Sequence, residues 1–325
     1  MDTLRLGTRG SQLALFQARA VADLVQRRAG VTCRIEVIKT SGDRLAETTL
    51  AQIGGKHLFV KEIEDALLSG AVDLAVHSSK DLPVVLPEGL TLGAVLPRED
   101  PRDAIVLRRP PTEGAVLPLD EIVRHLGRAT RIGTSSVRRS AQLTTLLPGA
   151  RFAPIRGNLD TRLHRLDAGH FDALVLAAAG LKRLDHEARI SAWLPPEVCV
   201  PAPGQGIIAV EIRSSASTVR EVVAAIDEPV SAAALAAERA VVTRLDGGCQ
   251  MPIGAYAAVS GRRLALPAIV ISLDGAQAVR ADAEGSLADA ERIGAEVAAL
   301  LLSRGADDIL AGVARARAAV EGLQP

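Results

Sequence analysis

The chain contains 325 residues, of which 48% are apolar, and this is enough for two or three domains with ordinary hydrophobic cores. Its 38 basic and 38 acidic residues cancel and only 2% of the residues are aromatic, so the composition argues against a nucleic-acid or membrane-surface partner. No stretch is apolar enough for a transmembrane helix, and the first residues have the pattern of a strand, not of a signal peptide. Three widely separated cysteines favour neither a disulfide framework nor a metal site, so we expect a protein of the reducing cytoplasm without a bound metal.

The first hundred residues alternate between strand and helix patterns, which is typical of α/β domains. The predicted elements are strands at 3–7, 33–39, 74–76 and 90–96 and helices at 12–28 and 58–68. Ser11 directly precedes the first of these helices and is a suitable N-cap for it. The charged segment 97–103 contains two prolines, and its stiffness indicates a hinge between domains.

A second strand-and-helix unit follows this hinge. Its predicted elements are strands at 104–107, 131–133, 151–155 and 173–177 and helices at 137–147 and 158–168. A proline-rich crossing at 195–206 then leads into the apolar run 207–212. Two stiff crossings around one α/β unit predict that the chain leaves the first domain, builds the second and returns to the first.

The last third of the chain has a different pattern. Alanine-rich helices are predicted at 232–244, 287–303 and 306–319, around strands at 253–259, 263–273 and 278–284. We therefore predict an α/β protein of three domains, with residues 1–100 and 203–226 in domain 1, 101–202 in domain 2 and 227–325 in domain 3. The first two are expected to have mixed, mainly parallel sheets with helices on both faces, and the third is expected to be a small α+β domain.

Cys249 is the most informative single residue. It follows Gly247 and Gly248, and such an open backbone suits a thiol that a bulky group must reach. The alternative is a small apolar residue in a turn before a strand, and this segment alone does not separate the two interpretations.

The candidate anion-binding residues lie in or shortly after the turns in which a strand ends and the next helix begins. They are Arg9, Ser11, Thr134, Ser135, Ser136, Arg138, Arg139, Arg156, Arg162 and Arg183. Orphan backbone N–H groups, the helix dipole and guanidinium forks converge in such turns. We therefore expect a ligand with several negative charges at one edge of the sheets, and a solvated surface turn is the alternative.

The pair Lys80-Asp81 forms a second candidate centre. It follows His77, Ser78 and Ser79 after the predicted strand at 74–76. A carboxylate held ionised in a cationic cleft stabilises a developing cation or transfers a proton. A capping or salt-bridged loop aspartate is the alternative, and His77 is expected to pack beneath this loop in a structural role.

Motifs along nearly the whole chain resemble those of the porphobilinogen deaminase family, the hydroxymethylbilane synthases of tetrapyrrole synthesis. The matching runs include 6–11 (LGTRGS), 54–56 (GGK), 58–62 (LFVKE), 75–81 (AVHSSKD), 98–104 (REDPRDA), 133–139 (GTSSVRR), 156–158 (RGN), 179–184 (AGLKRL), 204–206 (GQG) and 247–249 (GGC). The resemblance implies three α/β domains, the first two similar to a periplasmic-binding-protein pair. It also implies that Cys249 carries a dipyrromethane cofactor through a thioether.

The resemblance further implies a transferase reaction. Four porphobilinogen molecules are condensed head to tail on the dipyrromethane, with loss of ammonia from each, and hydrolysis releases hydroxymethylbilane. The product is expected to pass to uroporphyrinogen-III synthase, and the enzyme is expected to be a cytoplasmic monomer without a nucleic-acid or membrane partner.

Site residues are carried over from the resemblance position by position. Asp81 corresponds to the catalytic carboxylate, which would stabilise positive charge as the azafulvene forms and is attacked. The residues expected to hold pyrrole carboxylates are Arg9, Ser11, Ser78, Lys80, Thr134, Ser135, Ser136, Arg138, Arg139, Arg156, Gly157, Arg162, Arg183 and Gln205. Lys56 and Phe59 fall in a loop that is expected to cover the cleft. In the same loop His57 and Gln52 depart from the usual glycine and lysine, which puts the mobility of the loop and one charge contact in doubt.

Two other protein classes share some of these features. A two-lobed solute-binding protein or regulator would explain the arginines, but it gives no reason for Cys249 or for a third domain. A cysteine-nucleophile hydrolase or acyltransferase would need a histidine to activate the thiol, and residues 227–325 contain none.

Overall fold

The computed structural model describes residues 3–41, 60–112, 114–127, 129–246 and 251–322. The chain forms two compact units, one made of Met1–Glu99 with Ile207–Ala233 and the other of Asp100–Gly206 with Ala234–Pro325. The described strands are β1 (Thr3–Thr8), β2 (Thr32–Val37), β3 (Leu74–Ser78), β4 (Leu90–Val95), β5 (Asp103–Leu107), β6 (Arg131–Gly133), β7 (Arg151–Ala153), β8 (Ala173–Ala177), β9 (Ala192–Leu194), β10 (Ile208–Arg213), β11 (Ile253–Ala255), β12 (Ala258–Ser260), β13 (Arg263–Ile271) and β14 (Ala278–Ser286). The described α-helices are α1 (Gln12–Ala29), α2 (Lys61–Leu68), α3 (Leu119–Leu126), α4 (Val137–Thr144), α5 (Leu159–Asp167), α6 (Ala178–Arg183), α7 (Ser217–Ala224), α8 (Pro229–Arg244), α9 (Ala290–Ser303) and α10 (Ala306–Gly322).

The first unit is built on a five-stranded mixed sheet in the order β2-β1-β3-β10-β4. β1 is parallel to β2 and β3, whereas β10 is antiparallel to both of its neighbours, β3 and β4. Four strands therefore point one way and β10 points the other. α1 and α7 bury apolar side chains such as Val21 and Val223 on one face of the sheet, and α2 buries Ile63 on the other. This sheet confirms the predicted mixed, mainly parallel arrangement with helices on both faces.

α1 begins and ends where local chemistry directs it to. The Ser11 Oγ accepts a hydrogen bond of 3.3 Å from the Ala14 backbone N, which is the predicted N-cap. The helix ends at Gly30, whose φ of 70° lies in the left-handed region that glycine adopts without strain.

The second unit contains a sheet with the same pattern of strand directions. Its order is β7-β6-β8-β5-β9, with β6 parallel to β7 and β8 and with β5 antiparallel to β8 and β9. Two separate apolar clusters fill the spaces on either side of this sheet, one around Ile105 and Ile132 and one around Val106 and Leu174. β5 thus occupies the place in this sheet that β10 occupies in the first.

The third sheet is antiparallel and also belongs to the second unit. β13 pairs with β11, β12 and β14, and α9 packs against β13 and β14. The single strand predicted at 253–259 is wrong, because β11 and β12 are separate strands. Between them the backbone N of Ala257 donates to the Glu238 carboxylate at 2.7 Å instead of to a sheet partner. The division into three domains stays a prediction.

The described helices are not membrane helices, since none of them combines the length and the apolar character that a membrane span requires.

Candidate functional site

The first unit brings five predicted site residues to one edge of its sheet. Arg9 and Ser11 follow β1, and Ser78, Lys80 and Asp81 lie at and beyond the end of β3. Because β1 and β3 are adjacent and parallel, their carboxyl ends meet at the same edge, where ligands bind in open α/β sheets.

Asp81 ends a 3-10 turn, Ser79–Asp81, directly after β3. The backbone N of Ser79 donates to the Ile207 carbonyl at 3.0 Å and the backbone N of Leu82 donates to the Ser79 carbonyl at 3.2 Å. These bonds fix the turn, while the side chain of Asp81 is exposed. Within the described part of the chain, no hydrogen bond or ion pair engages its carboxylate. A carboxylate so placed is open to a ligand.

Ser78 is held from the neighbouring helix. The Gln17 Nε2 on α1 lies 2.8 Å from the Ser78 Oγ, and Gln17 is itself buried. His77, one residue earlier, is buried as predicted, and its Nε2 lies 3.2 Å from the Oε2 of the buried Glu211 on β10.

The second unit also gathers its predicted residues at one sheet edge. Residues 134–136 follow β6, Arg156 and Gly157 follow β7, and Arg183 ends α6, which follows β8. β6 is parallel to both β7 and β8, so these three strand ends share one edge. In this unit Thr134, Arg156 and Arg183 thus follow strands whose carboxyl ends share one edge.

Hydroxyl groups organise the turn between β6 and α4. The Ser136 Oγ accepts from the Arg139 backbone N at 3.4 Å, and the Thr134 Oγ1 accepts from the Ser136 backbone N at 3.2 Å. The Ser135 Oγ donates to the Ile155 carbonyl at 2.7 Å and accepts from its N at 3.0 Å. The three hydroxyls therefore shape the turn and tie it to the segment after β7.

The backbone conformation at position 157 requires a glycine. Its φ is 100°, and a Cβ at this position would lie 2.8 Å from the Thr161 side chain. The nearby Arg162 donates from its Nε to the Gly157 carbonyl at 2.9 Å, and the Nη2 of Arg183 donates to the Gly206 carbonyl at 2.6 Å. Arg156 is exposed, and Arg162 and Arg183 are half-buried.

Arg138 and Arg139 differ from these arginines because both are buried against Asp103. Arg138 is 3% exposed, Arg139 is 7% exposed and Asp103 is fully buried. The Nη2 atoms of Arg138 and Arg139 lie 2.8 and 2.7 Å from the Oδ2 and Oδ1 of Asp103. Burial alone would raise the pKa of the Asp103 carboxyl, but the two guanidinium groups hold it well below its usual range.

Gln205 belongs to the same buried cluster. Its Nε2 donates to the Asp103 Oδ1 at 2.9 Å and to the Pro101 carbonyl at 2.7 Å. The fully buried thiol of Cys199 lies 3.4 Å from the Asp103 Oδ2, and burial followed by the charge of Asp103 raises its pKa to about 12. This thiol is protonated at neutral pH and is unsuited to nucleophilic chemistry.

Asp103 and Glu238 are site-supporting residues that sequence reasoning missed. The Glu238 carboxylate accepts from the backbone N of Gly204 at 2.6 Å and from that of Ala257 at 2.7 Å, so α8 is tied to the 204–206 segment. Asp103 lies in the segment 97–103, which was interpreted as a hinge, and in the matching run 98–104, but neither gave it a role in the site.

Cys249, Lys56 and Phe59 lie outside the described residues, as do His57 and Gln52. The segment with Cys249 is flanked by α8, which ends at Arg244, and by β11, which begins at Ile253. Among the described residues, no group of three or more histidine, cysteine and acidic side chains is arranged to hold a metal ion.

Comparison with known proteins relates the chain to one family. Residues 4–221 match the family model "Porphobilinogen deaminase, dipyromethane cofactor binding domain", and residues 232–303 match "Porphobilinogen deaminase, C-terminal domain". A porphobilinogen deaminase of Moorella thermoacetica is 47% identical over 311 residues, which cover 95% of this chain and 96% of that one. A porphobilinogen deaminase of Syntrophobacter fumaroxidans is 45% identical over 314 residues, which cover 96% of this chain and 98% of that one. Among solved structures, the substrate binding domain 2 of Lactococcus lactis GlnP has a TM-score of 0.41 and 9% identity, over 70% of this chain and 87% of that one.

Proposed function

The chain belongs to the porphobilinogen deaminase family, and from that membership we propose which of its own residues perform the family's reaction. The reaction is that of a transferase, a hydroxymethylbilane synthase of tetrapyrrole and haem biosynthesis. It condenses four porphobilinogen molecules head to tail on a dipyrromethane cofactor, releases ammonia from each, and ends with hydrolysis to hydroxymethylbilane. The observation that carries the assignment of residues is the gathering of cationic side chains at the strand ends of each unit.

The cluster around Asp103 fits a group that bears several carboxylates, as dipyrromethane does. It combines two guanidinium groups with one carboxylate, so positive charge is in excess. The buried Nε of Arg138 has no hydrogen-bond partner among the described residues. An excess of buried positive charge and an unpaired donor both favour an anionic ligand. When bound, the cofactor supplies the pyrrole carbon to which the first substrate unit is joined.

Cys249 attaches this cofactor through a thioether, and the two glycines before it leave its thiol accessible. The division into domains at 1–100 with 203–226, 101–202 and 227–325 assigns Asp81 to the first domain, most of the arginines to the second and Cys249 to the third.

Asp81 is the catalytic residue. Loss of ammonia from porphobilinogen leaves positive charge on the pyrrole, and the Asp81 carboxylate stabilises that charge while accepting a hydrogen bond from the ring N–H. The support is its exposed side chain on a turn whose backbone is fixed by the hydrogen bonds of Ser79. Preorganisation of this kind costs no rearrangement when the charge develops.

The pyrrole carboxylates are bound by the polar residues at the two sheet edges. These are Arg9, Ser11, Ser78, Lys80, Thr134, Ser135, Ser136, Arg138, Arg139, Arg156, Gly157, Arg162, Arg183 and Gln205. The partly exposed arginines of this set suit the successive carboxylates of a lengthening chain, since a guanidinium binds a carboxylate in a bidentate fashion. The buried pair Arg138 and Arg139 suits the carboxylates that stay in place throughout.

The enzyme acts as a cytoplasmic monomer and passes hydroxymethylbilane to uroporphyrinogen-III synthase. The support for the compartment is the cysteine pattern, which favours a reducing environment. The balanced net charge supports the absence of a nucleic-acid or membrane-surface partner.

The intact mass of the purified protein under denaturing conditions tests this proposal. We expect an excess equal to two linked pyrrole units, absent from the Cys249→Ser variant, together with ammonia release when porphobilinogen is added. A protein that keeps its bare polypeptide mass after incubation with porphobilinogen, yet binds it reversibly, would contradict the proposal and favour a solute-binding protein.

A further inference from the structure

Asp103 is fully buried and contacts Arg138, Arg139 and Gln205, and the proposed function gives it no role of its own. We infer that Asp103 is a positioning residue, which holds Arg139 in the orientation that receives a carboxylate of the bound pyrroles. This inference rests on the proposed function, because it concerns how the same site is held for its ligand.

The two oxygens of Asp103 are divided between the two arginines. The Oδ1 atom accepts from the Arg139 Nε at 2.9 Å and lies 2.7 Å from its Nη2, which is a two-point contact. The Oδ2 atom lies 2.8 Å from the Nη2 of Arg138. Because Asp103 is the first residue of β5, one strand end fixes two adjacent side chains of α4.

The remaining contacts of Arg139 complete its orientation. Its Nη1 donates to the Val175 carbonyl of β8 at 3.2 Å, and its Nη2 lies 3.4 Å from the Gln205 Oε1. Gln205 in turn donates to Asp103. Arg139 is therefore held from a central strand, a neighbouring strand and the 204–206 segment, and among the described residues only Asp103 contacts it with a full opposite charge.

The single negative charge of Asp103 does not neutralise the two positive charges of Arg138 and Arg139. Asp103 is the sole ion-pair partner of Arg138 and of Arg139 among the described residues, and it offers one negative charge to two positive ones. The Cys199 thiol is protonated, and Gln205 is neutral. One uncompensated positive charge in a buried place is costly, and a ligand carboxylate is the simplest compensation.

Electrostatics and positioning predict opposite effects for Asp103→Asn. Removing the carboxylate adds positive charge, so a purely electrostatic role predicts faster capture of an anionic ligand. A positioning role predicts slower capture, because the asparagine amide turns a donor toward the arginine donors and releases Arg139 from its two-point contact. The sign of the change in loading rate therefore separates the two roles.

The experiment follows the conversion of the unloaded protein to its cofactor-bearing form by intact mass after porphobilinogen is added. We expect Asp103→Asn to load at least about tenfold more slowly than the unchanged protein, because a hydrogen bond to a charged group contributes roughly one to two powers of ten. Loading at or above the unchanged rate would overturn the inference.

A second pair of variants tests the contact between Asp103 and Arg139 in the absence of the Arg138 charge. Arg138→Gln keeps Asp103 and Arg139 together, and Asp103→Asn combined with Arg138→Gln leaves Arg139 without its anchor. The double variant is expected to load about tenfold more slowly than the single one, although its cluster is more positive. Equal rates for these two variants would overturn the inference.

Ile122→Ala is the matched control for lost stability. Ile122 is fully buried in the same unit on α3, which carries no proposed site residue. This variant is expected to have a lower Tm and an unchanged loading rate. If it loads as slowly as Asp103→Asn at a similar Tm, the slow loading reflects stability and the positioning role is wrong.

A noncovalent readout separates failure of this inference from failure of the proposed function. If the unchanged protein gains no mass, the proposed function fails, and Asp103 is then judged in the Cys249→Ser background. There porphobilinogen is expected to raise the Tm, and Asp103→Asn is expected to abolish this rise while Ile122→Ala keeps it. A rise that survives Asp103→Asn would overturn the positioning role.

Discussion

The side chains of Asp81 and Asp103 lie in opposite environments, and this difference separates their roles. Asp103 is fully buried and bound by two guanidinium groups, whereas Asp81 is exposed on a fixed turn. The charge of the buried Asp103 carboxylate is already paired within the folded protein. The charge of Asp81 remains accessible for a cation that develops on a ligand.

Asp81→Asn is expected to retain the cofactor but to turn over about 100- to 1000-fold more slowly, since it loses charge stabilisation without losing shape. Steady-state release of ammonia from porphobilinogen measures turnover, and intact mass measures cofactor content. Glu88→Gln is the control, because Glu88 is an exposed acidic residue in the segment after the same turn. Near-normal turnover of Asp81→Asn would remove this residue from the mechanism.

Arg139→Leu is expected to lower cofactor content or to slow the binding of the first pyrrole units by roughly 10- to 100-fold, because a charge-assisted hydrogen bond is lost. The intact mass of freshly purified protein reports this directly. Arg124→Leu serves for comparison, since Arg124 is exposed and its ion pair in the described part of the chain is with the exposed Asp120 on the same helix. A fully loaded Arg139→Leu protein with unchanged kinetics would exclude Arg139 as a carboxylate ligand.

For single residues, the sequence predicted the position in a helix or turn better than the contacts of the side chain. It placed Arg138 and Arg139 correctly in the first turn of α4, but it could not show that both are buried. Asp103, their common partner, lies 36 residues before Arg139 in the chain. Such a pairing follows from the order of strands in the sheet, which no local sequence pattern encodes.

At the scale of elements, α8 and α9 approach each other closely at Gly294. A Cβ at Gly294 on α9 would lie 2.2 Å from the backbone carbonyl of Ala237 on α8. The two backbones approach so closely that only glycine fits without a shift of a helix. This contact fixes α8, the helix that leads to the Cys249 segment.

Gly294→Ala is therefore expected to lower the free energy of unfolding by roughly 1 to 3 kcal/mol through overpacking. Gly312→Ala on α10 is the matched control, because a Cβ there meets nothing closer than 3.9 Å, and it should leave stability unchanged or raise it by up to about 1 kcal/mol. Urea unfolding of the two variants compares them. Equal stability of the two would show that α9 moves freely away from α8.

Element prediction gave accurate limits for several strands and failed where side chains interrupt the backbone pairing. The limits of β6 and β8 agree with the prediction to the residue. β7 ends two residues early, since the Ser135 hydroxyl occupies both backbone groups of Ile155. β9, α3, α6 and α7 lie in segments for which no element was predicted.

At the scale of the whole molecule, the first unit has a buried acidic group that links its stability to pH. Glu64 on α2 is buried, and its Oε1 has no hydrogen-bond partner among the described residues. Burial, followed by the charges of Glu211 and Asp65, raises the pKa of Glu64 to about 7 from its ordinary 4.5. The folded protein therefore favours the protonated acid more than the unfolded chain does.

The sign of the effect follows from this shift. Glu64 contributes its full stabilisation below pH 4.5, and this is lost as the pH rises to about 7. Glu64→Gln is expected to flatten this dependence and to be roughly 1 to 3 kcal/mol more stable than the unchanged protein at pH 8. Urea unfolding at pH 5 and pH 8 measures it, with Glu88→Gln as the exposed control. A variant that is less stable than the unchanged protein at pH 8 would show that the ionised carboxylate is satisfied in the fold.

The position of β10 in the first sheet has a consequence for how the chain is made. β3 and β4 are not paired with each other, because β10 lies between them in the sheet. The ribosome adds β10 more than a hundred residues after β4. A nascent chain that has emerged only as far as β9 can complete the β5–β9 sheet while the first sheet still lacks the strand that joins β3 to β4. The amino-terminal unit is thus begun first and finished second, and its exposed strand edges must wait for residues 208–213 before they are sealed.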